Sequence, residues 1–326
     1  MRRILVTGAN GFVGRWLTKK LLQRNYFVRN AVRRQALADI SSDEEIIIID
    51  NIDHTTKWER ALACVDCVVH LAARVHVMNE KSEDQLSNYH TINVNGTVNL
   101  AKQAAECGVR RFVYISSIKV NGENTIAGLK FVPDDDPCPV GAYAVSKYET
   151  ELALLAISSK TSMEVVIIRP PLVYGPGVKA NFKNLMNWLD KGIPLPFGSI
   201  YNKRSFVYVE NLVDLIIVCI DHPKAKNEIF LAGDGASIST TELLVILGQA
   251  LERPARLVRV PHGLLEIAAA LLGKRSLAHR ILGSLQVDIS KTVDLLDWAP
   301  AYTLNEGLWK TAKAYIRDKA GYEAGF

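Results

Sequence analysis

Cysteine is scarce in this chain, five among 326 residues, odd in number and irregular in spacing. That usage excludes a disulfide framework and suits a reducing, cytoplasmic compartment. Cys64-x-x-Cys67 is the single close pair, and no second ligand pair accompanies it. It reads as two small buried residues at a helix-to-strand junction, and no metal centre is expected.

Long apolar runs are missing too. No window reaches the roughly 18 unbroken apolar residues of a membrane span, because Asp214 interrupts 212–220 and Glu266 interrupts 263–272. Both segments read as buried or amphipathic helices, and for the second a peripheral membrane contact stays open. Arg2 and Arg3 are followed only by Ile4 to Val6, too short for a signal h-region, so the N-terminus is expected to be part of the fold. A formal charge of +5 is spread along the chain without aromatic-interleaved basic clusters, which argues against nucleic acid and for a small anionic partner. There is no internal repeat and no low-complexity linker.

What is present is an alternation of strand-like and helix-like segments. Strands are expected at 27–32, 45–49, 67–71, 111–116 and 165–169, with helices at 56–62, 93–106 and 143–158 between them. Such βα alternation predicts an α/β fold with a doubly wound parallel sheet, whose ligands sit beyond the carboxyl ends of the strands. With 48% hydrophobic residues the chain can bury a large core and carry a smaller lobe. After Pro170 the texture changes, with Pro and Gly crowding 170–177 and 192–198. The expected division is a nucleotide domain over 1–175 and about 205–232, and a smaller α/β substrate lobe over 176–204 and 233–326. Of the strand-like runs 205–209 and 228–232, at least one is expected to rejoin the main sheet.

Two clusters carry chemistry. The apolar run Arg3 to Thr7 leads into Gly8-Ala9-Asn10-Gly11-Phe12-Val13-Gly14 and then a helical pattern. Glycines there admit positive φ and let a pyrophosphate approach the free N–H groups of the helix start. The spacing differs from the G-x-G-x-x-G of long dehydrogenases. Later, Tyr143 and Lys147 stand four apart on a helix and share a face. A cation beside a phenol favours phenolate and lowers its pKa from near 10, so Tyr143 could exchange a proton at neutral pH. Ser116 and Ser117 end a buried strand where a hydroxyl could meet the same oxygen.

Taken together, Gly8-x-x-Gly11-x-x-Gly14, His70-Leu71-Ala72-Ala73, Asn93-Val94-x-Gly96-Thr97, Ser116-Ser117, Tyr143-x-x-x-Lys147 and Arg169-Pro170-Pro171 resemble an extended short-chain dehydrogenase/reductase of the nucleotide-sugar branch. The resemblance implies a Rossmann-like nucleotide domain and the catalytic set Ser117, Tyr143, Lys147 and Asn93. Tyr143 would handle the proton at the sugar C4 oxygen, Ser117 would steady that oxygen with Ser116 as the competing choice, and Asn93 would order Lys147 through water. Cofactor contacts would come from Gly8, Asn10, Gly11, Phe12, Val13, Gly14, Arg33, Arg34, Asn51, Ile52, Leu71, Ala72, Ala73, Ser116, Tyr143, Lys147 and Pro170. Substrate contacts would come from Arg74, Ser117, Lys119, Tyr143, Asn181, Asn184, Leu185, Phe197, Arg204 and Arg280. A homodimer through the helices 93–106 and 143–158 is implied as well.

Three departures narrow the activity. Ile118-Lys119 replace the Asp-Glu pair of sugar dehydratases, which argues against dehydration. No Asp or Glu lies from Arg15 to Ala38, and Arg33-Arg34 stand where an acid would bind the NAD ribose; a guanidinium there suits a 2′-phosphate, favouring NADP(H) over NAD(H). Pro171-Leu172 replace an Asn common in epimerases, so the diphosphate contacts must differ. The stretch Arg169 to Phe182, with Ser116 to Glu123, also resembles bacterial surface-polysaccharide enzymes, and the resemblance implies a 4-keto reductase of a UDP-2-acetamido-2,6-dideoxy-hexulose. The alternatives are a UDP-glucose or UDP-N-acetylglucosamine 4-epimerase with tightly bound NAD, and a catalytically silent cofactor-sensing scaffold.

Overall fold

Ile4, Leu5 and Val6 are fully buried in β1 (Arg3–Thr7), with alternate side chains on opposite faces of a sheet. Ile4 and Val6 join a core that includes Leu17 and Leu21 of α1 (Phe12–Gln23), whereas Leu5 joins one built on Leu100, Ala101 and Leu154. A strand covered on both faces is near-continuously apolar, and β1 follows that rule from Ile4 to Val6. In the computed structural model the described residues are 2–33, 45–74, 87–271, 273 and 281–321. Arg34 and Arg280 lie outside them, and of Asn181 only the backbone is described.

The main sheet has seven parallel strands in the order β3-β2-β1-β4-β5-β6-β9. These are β1, β2 (Phe27–Arg33), β3 (Glu45–Ile49), β4 (Cys67–His70), β5 (Arg111–Ile115), β6 (Glu164–Arg169) and β9 (Ile229–Leu231). The order reverses between β1 and β4, whose last residues Thr7 and His70 are in register. A crevice therefore opens beyond those two carboxyl ends. The α/β doubly wound, Rossmann-like architecture expected from the alternation is present.

Helices α2 (Glu59–Leu62), α3 (Thr97–Glu106) and α4 (Ala142–Ser158) cover one face, and α1 with α6 (Val209–Asp221) covers the other. Two expected helices change at their starts. Residues 56–58 stay outside α2, because the Asp53 carboxylate holds the Thr55 amide and both threonine hydroxyls at 2.7–3.3 Å, an alternative to helical pairing. Residues 90–96 form a π-turn (His90–Gly96) before α3, a feature frequent at functional sites.

A second sheet carries β7 (Leu172–Tyr174), β8 (Arg204–Tyr208) and β10 (Ser237–Ile238) in the order β10-β8-β7. So β9 rejoins the main sheet, as at least one of the two runs was expected to do, and β8 pairs elsewhere. Around the small sheet lie α5 (Ala180–Asp190), α7 (Thr240–Ala250) and α10 (Leu304–Lys319). Both α7 and α10 start from complete capping boxes, Ser239 with Glu242 and Thr303 with Glu306. The remaining described helices are α8 (His262–Leu271) and α9 (Ser290–Leu296). Cys67 is buried as expected, but Cys64 is exposed with φ of 57°, because it sits in the tight turn that joins α2 to β4.

Candidate active site

Gly8 follows β1 with φ of 72°, and a Cβ there would lie 2.8 Å from the Ala72 nitrogen. Only glycine lets the turn pass so close to the loop after β4. A Cβ on Gly14 would collide with the Gly8 carbonyl and come within 2.7 Å of Ala9, so this glycine seats α1 against its own turn. The Gly11 amide donates to the Gly8 carbonyl at 2.9 Å and closes the turn. Gly11 then caps α1 with extended backbone, without a side-chain cap and without an acid in the first turn. The amides of Phe12, Val13 and Gly14 are left without intrahelical acceptors at the positive end of the helix, a cradle for an anion.

Other expected cofactor residues lie at or just beyond the carboxyl ends of the main-sheet strands. The Leu71 amide donates to the Thr7 carbonyl at 3.2 Å and the Ala72 amide to Thr7 Oγ1 at 3.4 Å, which ties Leu71 and Ala72, the residues before Ala73, to the end of β1. Asn10 is in the turn, its carbonyl accepting from Arg15 Nε at 3.1 Å. Arg33 ends β2 and is exposed. The Asn51 carbonyl accepts from Thr56 Oγ1 at 2.8 Å, and Ile52 packs directly on Gly96 of the π-turn. Pro170 is buried, its carbonyl accepting from the Ile118 amide at 3.0 Å. Ser116 is buried and its hydroxyl has no partner among the described residues. A glycine cradle, free helix amides and an orphaned hydroxyl fit a dinucleotide.

Tyr143 stands in the first turn of α4, partly buried, with its ring edge-on to Tyr89 at 6.1 Å. Of the two serines it is Ser117 whose hydroxyl bears on the phenol, favouring its ionised form. Ser117 also caps the one-turn helix Ile118–Val120, accepting from the Lys119 amide at 3.3 Å. Lys147 lies one turn further along α4 and is buried; its Nζ donates to the Ile115 carbonyl at 2.8 Å and sits 4.5 Å from the Tyr114 ring centre.

The expected lowering of the Tyr143 pKa by Lys147 is corrected here. Burial pushes the phenol up to about 12, opposed by the Ser117 hydrogen bond. The lysine is held by the Ile115 carbonyl and the Tyr114 ring, and burial brings its own pKa down to about 7. Glu151 opposes that fall. The buried His70, pushed down to about 3 by desolvation and then by Lys147, is neutral and bridges Thr7 Oγ1 (2.7 Å) and Thr97 Oγ1 (2.9 Å).

This lysine has a stability consequence. From about pH 7 up to 10.5 the unfolded chain holds its proton and the folded chain does not. Folding stability therefore rises with pH through that window, and the full burial penalty applies below it. Lys147→Met is expected to flatten the slope in denaturant titrations and to stabilise the chain by at least about 1 kcal/mol near pH 6. An unchanged slope would show that the lysine does not titrate there.

Asn93 serves the loop after β4. Its Oδ1 accepts from the Arg74 amide at 2.8 Å, and its Nδ2 donates to the Arg74 carbonyl (3.2 Å) and Ser146 Oγ (3.1 Å). Its carbonyl accepts from Thr150 Oγ1 at 2.9 Å, so its direct contacts run to Arg74 and α4. Lys119 is turned onto Glu123 at 3.1 Å. Arg204 Nη1 donates to the Gly283 carbonyl at 3.0 Å. On α5 Asn184 is exposed, while Leu185 packs on the core, as does Phe197 in the loop beyond; the Phe197 carbonyl accepts from Thr241 Oγ1 at 2.6 Å.

The structure also shows partners that the motifs did not reveal. Glu151, one turn beyond Lys147, forms a buried pair with Arg169 at 2.6 Å. Arg169 Nη1 reaches Asn121 Oδ1 at 3.0 Å, joining β6, α4 and the turn after Ser117. A glutamate four residues after Lys147, on the same helix face, was the available signal. His70 with Thr7 and Thr97, and Tyr89 against Tyr143, had none.

Comparison with known proteins gives consistent relatives. The profile of the NAD dependent epimerase/dehydratase family matches residues 4–233. A UDP-glucose 4-epimerase of Vibrio cholerae is 49% identical over 318 residues, spanning 97% of this chain and 96% of its own. An N-acetyl-alpha-D-glucosaminyl-diphospho-ditrans,octacis-undecaprenol 4-epimerase of Escherichia coli O157:H7 is 27% identical over 94% of this chain and 93% of its own. Among solved structures, UDP-glucuronic acid 4-epimerase from Bacillus cereus in complex with NAD superposes with a TM-score of 0.79 at 24% identity, covering 99% of each chain. At that identity the likeness speaks for the fold.

Proposed function

Because this chain belongs to the NAD dependent epimerase/dehydratase family, and so is an enzyme of the extended short-chain dehydrogenase/reductase type, we propose that it is an NAD-dependent 4-epimerase of a UDP-sugar. The observation that carries this reading is the 49% identity to a UDP-glucose 4-epimerase over nearly the whole of both chains. The placement of the elements supports it, since Ser117 follows β5, Tyr143 and Lys147 lie one turn apart on α4, and the glycine turn follows β1.

When bound, the nicotinamide would supply a reversible hydride acceptor for the hydrogen on C4. Gly8 to Gly14 and the first amides of α1 would hold the diphosphate, and Asn51 and Ile52 would border the adenosine. Tyr143 takes the proton of the 4-hydroxyl and gives it back, Ser117 steadies the oxygen, and Lys147 holds the cofactor ribose. Arg74, Lys119, Asn181, Asn184, Leu185, Phe197 and Arg204 contribute to the substrate side, in a lobe of residues 176–204 and 233–326. Two copies pair through the π-turn with α3 and α4, where Leu152 is exposed. A role in surface-polysaccharide synthesis in the cytoplasm belongs to the same reading.

The reductase expectation keeps one observation, the exposed Arg33 with no acid in β2 or α1, which suits NADPH. The relatives weigh toward the epimerase, and nothing in them bears specifically on a reductase. Denaturing freshly purified protein and identifying the released nucleotide separates the two. Stoichiometric NAD is the expected result. An empty site that prefers NADPH to NADH would overturn the reading and direct assays to UDP-4-keto sugars.

A further inference from the structure

The helix α8 is built the wrong way round for a core. Leu264, Ile267 and Leu271, at 57%, 59% and 83% exposure, form with Ala268 one stripe at i, i+3, i+4 and i+7 spacing. The polar pair on this helix, His262 with Glu266 at 3.8 Å, lies on the opposite side. No residue of α8 is buried, whereas α3 and α7, of similar length, each bury at least four. An exposed apolar stripe of this kind marks an interaction surface.

The residues that lead into α8 add a sign of charge. Arg253, Arg256 and Arg259 are exposed, Val258 between them is exposed as well, and no acid occurs from Arg253 to Leu265. This basic segment is held in place, since the Leu195 amide donates to the Arg256 carbonyl and the Val258 amide to the Leu195 carbonyl, both at 2.8 Å. A surface that pairs an apolar helical stripe with adjacent arginines is complementary to anionic headgroups over acyl chains. A ten-residue helix is about 15 Å long, half of a roughly 30 Å hydrocarbon core, so it can lie in the interface and cannot span it. Among the described residues no helix is long and apolar enough to cross a membrane.

We propose that α8 and the segment Arg253 to Arg259 form a docking surface for an anionic lipid membrane. The helix sinks its Leu264, Ile267 and Leu271 side below the headgroups, and the three arginines meet lipid phosphates. The proposal is independent of which sugar the active site takes.

The test uses the full-length chain and sedimentation with vesicles of phosphatidylcholine, with and without phosphatidylglycerol. The native chain is expected to sediment with the anionic vesicles, less so as salt is raised. Leu264→Ser with Ile267→Ser is expected to weaken partitioning by at least about tenfold. Each Arg→Gln change at 253, 256 or 259 should weaken it by about fivefold. Turnover of soluble UDP-sugar and the melting temperature should stay unchanged in both sets. No sedimentation with anionic vesicles, or serine variants that sediment as the native chain does, would overturn the proposal. So would serine variants whose only change is conversion of an oligomer to monomer in sedimentation velocity, which would give the stripe to a second copy of the chain.

Discussion

Replacing Tyr143 by Phe is expected to lower kcat by about 10²–10⁴-fold, the usual contribution of a positioned acid–base group, with a small change in KM. The substitution removes one oxygen and keeps the ring, so the edge-on contact with Tyr89 persists and the fold is unaffected. Burial holds the phenol near 12, so in the resting enzyme it is protonated at neutral pH and ready to donate. To take the 4-hydroxyl proton the phenol must first give up its own, and the Ser117 hydroxyl acts in that direction by opposing the effect of burial. Ser117→Ala should therefore reduce kcat as well, by a smaller factor, on the order of tenfold for one lost hydrogen bond. Steady-state kinetics on both variants checks the pair. A Tyr143→Phe enzyme with native kcat would remove the phenol from the chemistry, and a variant that loses turnover yet leaves the cellular phenotype unchanged would favour the catalytically silent, cofactor-sensing role.

Replacing Glu151 by Ala is expected to destabilise the chain by about 3–5 kcal/mol, because it strands the Arg169 charge in the interior. Both side chains are 2% exposed, and three hydrogen bonds of 2.6–3.2 Å join the guanidinium to the carboxylate. Removing both charges together, as Glu151→Gln with Arg169→Met, is expected to recover much of the loss, since desolvating a buried pair costs nearly what the pairing returns. The double variant still lacks the carboxylate that favours the Lys147 ammonium. Urea denaturation reads the stability. Equal losses in the single and double variants would show that packing, and not a stranded charge, sets the cost. Truncating Lys119 or Glu123, a partly exposed pair, should change stability by less than about 1 kcal/mol.

Much of this was legible in the chain because it depends on local pattern. Ile4 to Val6 followed by Gly8, Gly11 and Gly14 specify strand, turn and helix by residue type alone, and Tyr143 and Lys147 share a helix face by spacing alone. The parallel order of the main sheet follows from βα alternation. What stayed hidden depends on tertiary neighbours. The run 204–208 reads as a strand by residue type, and only its partners β7 and β10 decide that it joins the small sheet. Glu151 and Arg169 are 18 residues apart and meet only because α4 packs beside β6. Burial is the largest influence on both Tyr143 and Lys147, and burial is not written in spacing. The 262–271 segment carried an apolar pattern in the sequence, but that its stripe faces outward is visible only in the structure.

The most direct test of the central claim is to give the purified enzyme UDP-glucose deuterated at C4, with no nucleotide added, and to follow the sugar by mass spectrometry and NMR. An epimerase that oxidises C4 and returns the same hydrogen should produce the C4 epimer to equilibrium, with deuterium still on C4. No epimer, together with NADPH-dependent consumption of a UDP-4-keto sugar in the parallel assay, would contradict the account.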